Sequence, residues 1–197
     1  AKIKTMDAGL TDKGQQQAEA YRDWLIENKY QADVLYASTM RRTQETARYV
    51  EEALGLKAIS DDRIREIGNS ALDGTALDEK GLPRQFSRLK PDTAPFAPLG
   101  VDVNNGESWM HFRTRLGQFV HELIAKHQGK RVYVVAHGGV ISAMMDNIYN
   151  AGPYRNARTD ARNTAWSLYE YFPQTGRENW MIHYHNRIDH LLEKDLL

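Results

Sequence analysis

Apolar positions along the first sixty residues alternate between two periods. In LTDKGQQQAEAYRDWLIENK, Ala18, Tyr21 and Leu25 fall on one helical face, and Thr11 stands where a helix needs an N-cap. DVLYAS (33–38) is a short apolar run of strand length. RRTQETARYVEEALG returns to helical spacing at Thr43, Ala47, Val50 and Leu54, and Gly55 suits its C-terminus. KAIS predicts a weak strand.

The segment from Gly68 to Gly106 is rich in proline and turn residues and predicts a long excursion over the surface. Excursions of that length in a small domain usually form lids or binding loops. Ser108 then offers a cap for a helix with Phe112, Leu116, Phe119 and Leu123 on one face. VYVVA reads as a buried strand that ends at His137, followed by two glycines and the helix-like VISAMM. NTAWSLYEYF and ENWMIHYH read as a pair of strands, and a short amphipathic tail closes the chain. There is no internal repeat, low-complexity tract or interdomain linker.

Helices alternating with strands predict a three-layer α/β/α domain with a mostly parallel sheet, and the late strand pair predicts one antiparallel edge. At 197 residues the chain fits one domain spanning 1–197, with 68–106 as its excursion. Composition narrows the chemistry. Lys and Arg balance Asp and Glu at 26 each, so no basic surplus suggests nucleic acid or an anionic membrane as partner. With no cysteine, disulfides, thiolate metal sites and a Cys nucleophile are excluded. No apolar stretch has the length of a membrane span, and AKIKTMDAGL does not read as a signal peptide, so a cytoplasmic enzyme is expected.

Three strand ends then carry the candidate chemistry. DVLYAS ends at Ser38 and leads into Arg41-Arg42; the AIS strand leads through DDRIRE to Glu66; VYVVA ends at His137. In a parallel sheet, ligands bind outside the carboxyl ends of the strands. A guanidinium binds phosphate bidentately, amides at a helix start favour anions, and a protonated imidazole adds charge. A carboxyl group beside them serves as general acid or base, its pKa set by burial against cationic neighbours. That set predicts a phosphate-ester site.

The same segments resemble the histidine phosphatase superfamily, the phosphoglycerate mutase-like proteins. LTDKGQQQA (10–18), STMRRTQETA (38–47), IRE (64–66), GES (106–108) with Arg115, and VVAHGGV occur in the family's order. The resemblance implies that Arg42 rather than Arg41 binds phosphate, that Glu66 is the acid/base, and that His137 and the Gly138 amide contact the phosphoryl group as a charged donor and a backbone donor. It implies a phosphomonoester phosphatase acting on a small phosphorylated metabolite through a phosphohistidine, without metal or organic cofactor. A phosphoglycerate mutase-type phosphotransferase and a non-catalytic phosphate-binding protein are the alternatives, and a homodimer stays open. The family's Arg-His-Gly, which carries the nucleophile, is not in these residues. The expectation is that the polypeptide continues upstream of Ala1 with a strand ending in Arg-His-Gly, lying between DVLYAS and VYVVAH. Milder departures are GNSALDG after the carboxylate, and Thr43 and Glu45 within the arginine motif.

Other residues are assigned plainer roles. Glu107 is expected to support the helix after it. His183 and His185, with His190 beyond, hint at a metal but are more simply polar residues of an exposed strand. Trp166, Trp180, Tyr169 and Tyr171 are expected to pack. Lys80, Arg84, Arg88 and Lys90 are either solvated charges or the lining of an anion-attracting mouth.

Overall fold

The computed structural model describes residues 7–67, 94–96, 107–155, 157, 159–173 and 179–197. The expected excursion therefore lies almost wholly outside the described residues, and with it GNSALDG, Lys80, Arg84, Arg88 and Lys90.

Helix α1 (Asp12–Glu27) starts where Thr11 Oγ1 accepts the Gly14 amide, which satisfies one of the donors a helix start leaves unpaired. Strand β1 (Val34–Ser38) leads into α2 (Arg41–Leu54). No side chain caps α2 from the N-cap position; instead Thr43 Oγ1 donates back to the Met40 carbonyl at 2.6 Å. Gly55 ends α2 at φ 66°, a left-handed conformation that glycine adopts without steric cost. Strand β2 (Ala58–Asp61) runs into a 3-10 turn (Asp62–Ile64). Ser108 caps α3 (Trp109–Lys126) by accepting the His111 amide. Then follow β3 (Val132–Val135), α4 (Gly138–Ile148), β4 (Trp166–Tyr171), β5 (Trp180–Arg187) and the short α5 (Asp189–Leu192).

The strands β2, β1 and β3 form a parallel sheet in that order, with Tyr36 opposite Ile59 on one side and Val134 on the other. Alternation along β1 sends Tyr36 to one face and Leu35 and Ala37 to the other. The Tyr36 face packs on Phe112, Leu116 and Phe119 of α3 and Val140 and Ala143 of α4. The Leu35 face packs on Tyr21 and Leu25 of α1 and Ala47 and Val50 of α2. Two helical layers thus sandwich the sheet, as the sequence predicts. Each fully buried Leu or Phe contributes on the order of 2 kcal/mol.

Two expectations need correction. DVLYAS and VYVVAH are hydrogen-bonded neighbours, so no strand lies between them. Asp33 locks this pairing at its start: its amide donates to the Arg131 carbonyl, and its carboxylate accepts the Arg131 amide. The late strands β4 and β5 do pair antiparallel, but among the described residues they form a separate two-stranded sheet rather than an edge of the parallel one. Trp166 nevertheless packs against the Leu35 cluster, 5.3 Å from Trp24. Trp180 meets Tyr171 at 5.1 Å across the hairpin. Among the described residues no helix is long and apolar enough to cross a membrane.

Candidate active site

Because β1, β2 and β3 run parallel, their C-terminal ends open on one edge of the sheet, and the chain leaves each end through a different reactive side chain. From β1 it passes Ser38 and enters α2, placing Arg42 in the first turn. From β2 it turns through Asp62–Ile64 to Glu66. From β3 it reaches His137, directly before α4. The structure brings all three together.

Arg42 Nη2 lies 2.9 Å from His137 Nδ1, and His137 Nε2 lies 2.9 Å from Ser38 Oγ. A guanidinium has only donors, so Nδ1 must accept and Nε2 must carry the proton. His137 is buried, and burial, followed by the charges of Arg42, Arg65 and Arg115, holds its pKa well below the usual histidine range. The imidazole is neutral in this arrangement. The expectation of a charged His137 concerns a ring that faces a phosphoryl group, whose negative charge would oppose the effect of burial and of the three arginines.

The same tautomer argues against a serine nucleophile. Ser38 is fully buried, and its oxygen also accepts the Met40 amide at 3.3 Å. His137 offers it a proton instead of a lone pair, so the pair is not arranged for base-assisted attack.

Glu66 is held from two sides. Its Oε1 accepts the Ile67 amide at 2.9 Å and its Oε2 accepts the Gly139 amide at 3.2 Å. Burial pushes its pKa up, against the opposing pull of those two amides and of Arg42 and Arg115. The second glycine of the HGG motif is explained here. A Cβ on Gly139 would lie 2.0 Å from Glu66 Oε1, whereas one on Gly138 would meet nothing closer than 3.6 Å, at Ala161. The Gly139 amide is therefore committed to the carboxylate, and Gly138 is the glycine left for a ligand contact.

These strand ends carry the segments in which the resemblance lies, and a comparison of whole sequences decides the matter. The sequence model of the histidine phosphatase superfamily (branch 1) matches residues 3–183. The chain belongs to that superfamily.

This superfamily member is 30% identical over 141 residues to phosphoserine phosphatase 1 of Hydrogenobacter thermophilus, a match covering 71% of this chain and 64% of that protein. It is 28% identical over 203 residues to phosphoglycerate mutase-like protein 4 of Arabidopsis thaliana, covering 98% of this chain and 80% of that one. Its fold superposes on the phosphoserine phosphatase of Entamoeba histolytica in complex with 3-phosphoglyceric acid with a TM-score of 0.72. That match has 18% identity and covers 96% of this chain and 89% of that one.

In this histidine phosphatase the motif departures have local reasons. Glu45 accepts the Leu10 amide at 2.6 Å and Arg41 Nε at 2.7 Å, tying the entry of α1 to α2. Arg41 is thereby engaged on the outside of α2, leaving Arg42 to face the site. Arg65, beside His137, was not foreseen from the sequence; it donates to Thr39 Oγ1 and adds positive charge to the site. Glu107 does more than support α3, since it forms a bidentate pair with Arg115 at 2.7 and 2.8 Å. His183 pairs with Glu170, and His185 lies near Ser167 and the Asp160 carbonyl. Among the described residues no cluster of His, Cys, Asp or Glu is arranged to hold a metal.

Proposed function

We propose that this protein is a phosphoric monoester hydrolase that acts on a small phosphorylated metabolite through a phosphohistidine intermediate. Arg42, His137 and the Gly138 amide hold the phosphoryl group, and Glu66 moves the proton. The observation that carries this reading is the 2.9 Å contact of Arg42 with His137 beside a carboxyl group fixed to the same helix start. A phosphate dianion entering between them would meet the Arg42 fork, the imidazole once its Nδ1 has taken up a proton, and the first turn of α4, donors that suit its equatorial oxygens.

Glu66 suits the proton donor. Burial favours its neutral form, so it can protonate a leaving oxygen and afterwards, ionised, take a proton from attacking water. The nucleophilic imidazole enters this mechanism from the family resemblance; the described side chains supply the phosphate cradle and the acid/base. No metal is called on for either step, because Arg42, the first turn of α4 and a protonated His137 supply the positive charge that phosphoryl transfer needs. The phosphatase names of one sequence relative and of one structural neighbour support hydrolysis of a small ester.

The test is hydrolysis by the full-length protein of p-nitrophenyl phosphate and of small alkyl phosphates in the presence of EDTA, with a search for an acid-labile, base-stable phosphoprotein. Release of inorganic phosphate through that intermediate is expected. Interconversion of phosphoglycerates without phosphate release would replace the hydrolase with a mutase, and phosphate binding without turnover would leave a binding protein.

A further inference from the structure

Arg115 of α3 uses every face of its guanidinium. Nε and Nη2 grip Glu107, and Nη1 lies 2.6 Å from the Arg63 carbonyl, 3.2 Å from that of Arg65 and 3.3 Å from that of Asp62. The plane sits over the Phe112 ring at 4.8 Å. Both partners are well sheltered, with side chains only 12% and 15% exposed. The three carbonyls belong to the short link between β2 and Glu66. On its core side that link is pinned by the buried Ile64 and Ile67.

Resting on the reading of Glu66 as proton donor, we propose that the Glu107–Arg115 pair is a positioning device for Glu66. It fixes the backbone that delivers the carboxyl group and sets the charge beside it. A surface salt bridge would contribute little. This one is sheltered, its arginine reaches the carbonyls of Asp62, Arg63 and Arg65 across about fifty residues of sequence, and the next residue along is Glu66. Misplacement of a reacting group by about 1 Å can cost as much as a hundredfold in rate.

The charges facing Glu66 give the pair a second, separable effect. Arg42 from α2 and Arg115 from α3 draw it toward ionisation, the Gly139 amide from α4 and its own Ile67 amide do the same, and His137 at the end of β3 is neutral. Glu107 offsets Arg115. Removing Glu107's charge strengthens the cation felt by Glu66, and removing Arg115 weakens it.

The experiment uses the full-length enzyme and single-turnover alcohol release, measured against pH for an alkyl phosphate and for p-nitrophenyl phosphate. A general acid works while protonated, so the rate for the alkyl ester falls as pH rises through the Glu66 pKa. Glu107→Gln should move that basic limb down, and Arg115→Met should move it up, each by about one pH unit. Arg115→Met should also slow the alkyl ester about tenfold or more while sparing p-nitrophenyl phosphate. If Arg115→Met does not fold, Glu107→Gln carries the limb test alone.

A pair that merely holds the fold would slow both substrates together and leave the limb in place, which overturns the proposal. Glu66→Gln run in parallel separates the two claims. If it keeps the basic limb, Glu66 is not the acid and the underlying reading fails. If it abolishes the limb while the limb of Glu107→Gln stays put, the positioning proposal alone fails.

Discussion

Arg42 donates to Nδ1 of His137 at 2.9 Å, and that contact decides the tautomer of an imidazole that burial, and then the nearby arginines, disfavour charging. A phosphate dianion would compete for the same guanidinium and place negative charge beside the ring. Both changes raise the His137 pKa from its depressed value. Binding of sulfate, a dianion with no proton of its own to lose near pH 7, should therefore take up a proton. Calorimetry in two buffers of different ionisation enthalpy measures it, and identical heats in both would show that His137 stays neutral. Arg42→Ala should raise KM and lower kcat, with kcat/KM down about 10- to 100-fold, because a charge-assisted contact present in the ground state persists into the transition state.

Glu66→Gln keeps the shape and removes the proton. Turnover of alkyl phosphates should fall about 100-fold or more. The first step with p-nitrophenyl phosphate should change far less, since its leaving group needs little protonation. Hydrolysis of the phosphoenzyme should slow for every substrate, and rapid-quench measurement of the intermediate should show it accumulating. Unchanged rates with every ester would assign the proton to another residue.

The two glycines after His137 should differ sharply. Gly139→Ala places a methyl group 2.0 Å from a Glu66 oxygen and so must displace the carboxylate. Its kinetics should mimic Glu66→Gln, with an unchanged circular dichroism spectrum. Gly138→Ala meets only ordinary van der Waals contact at 3.6 Å and should keep more activity toward alkyl esters. Equal activities in the two variants would detach the carboxylate from the Gly139 amide.

His190, on α5, sits buried against Tyr21 with its ring centroid 4.7 Å away, and its Nδ1 has no hydrogen-bond partner. Burial pushes its pKa down from 6.5 to about 4. Folding thus holds it neutral while the unfolded chain takes up a proton. The sign follows: no penalty applies above about 6.5, and stability is lost as pH falls from there toward 4, by on the order of 3 kcal/mol in all. His190→Gln should flatten the fall of Tm between pH 7 and about 4.5. An equally steep fall in the variant would place the acid sensitivity elsewhere, the buried His137 being the next candidate.

Much of this site was legible along the chain because its parts are local. A cap such as Thr11 or Ser108 acts on an amide three residues away, and a strand followed by His-Gly-Gly and a helix-like run carries its meaning within ten residues. Periodicity alone allowed two helical layers around a parallel sheet, and the parallel strands then bring Arg42, Glu66 and His137 to one edge. What the chain order left undetermined was adjacency. Nothing in DVLYAS or VYVVAH says whether they touch, because both are apolar on two faces and either would accept any parallel neighbour. The Asp33 to Arg131 bonds, between residues nearly a hundred apart, make that choice.

The protonation state of His137, the need for glycine at 139 and the grip of Arg115 on the Glu66 link depend on groups brought together from 50 to 100 residues away. Residue type and spacing determined which groups this protein presents at its strand ends. Only the packed structure decided their charge and aim, because desolvation and contacts of that kind exist only once the chain has folded.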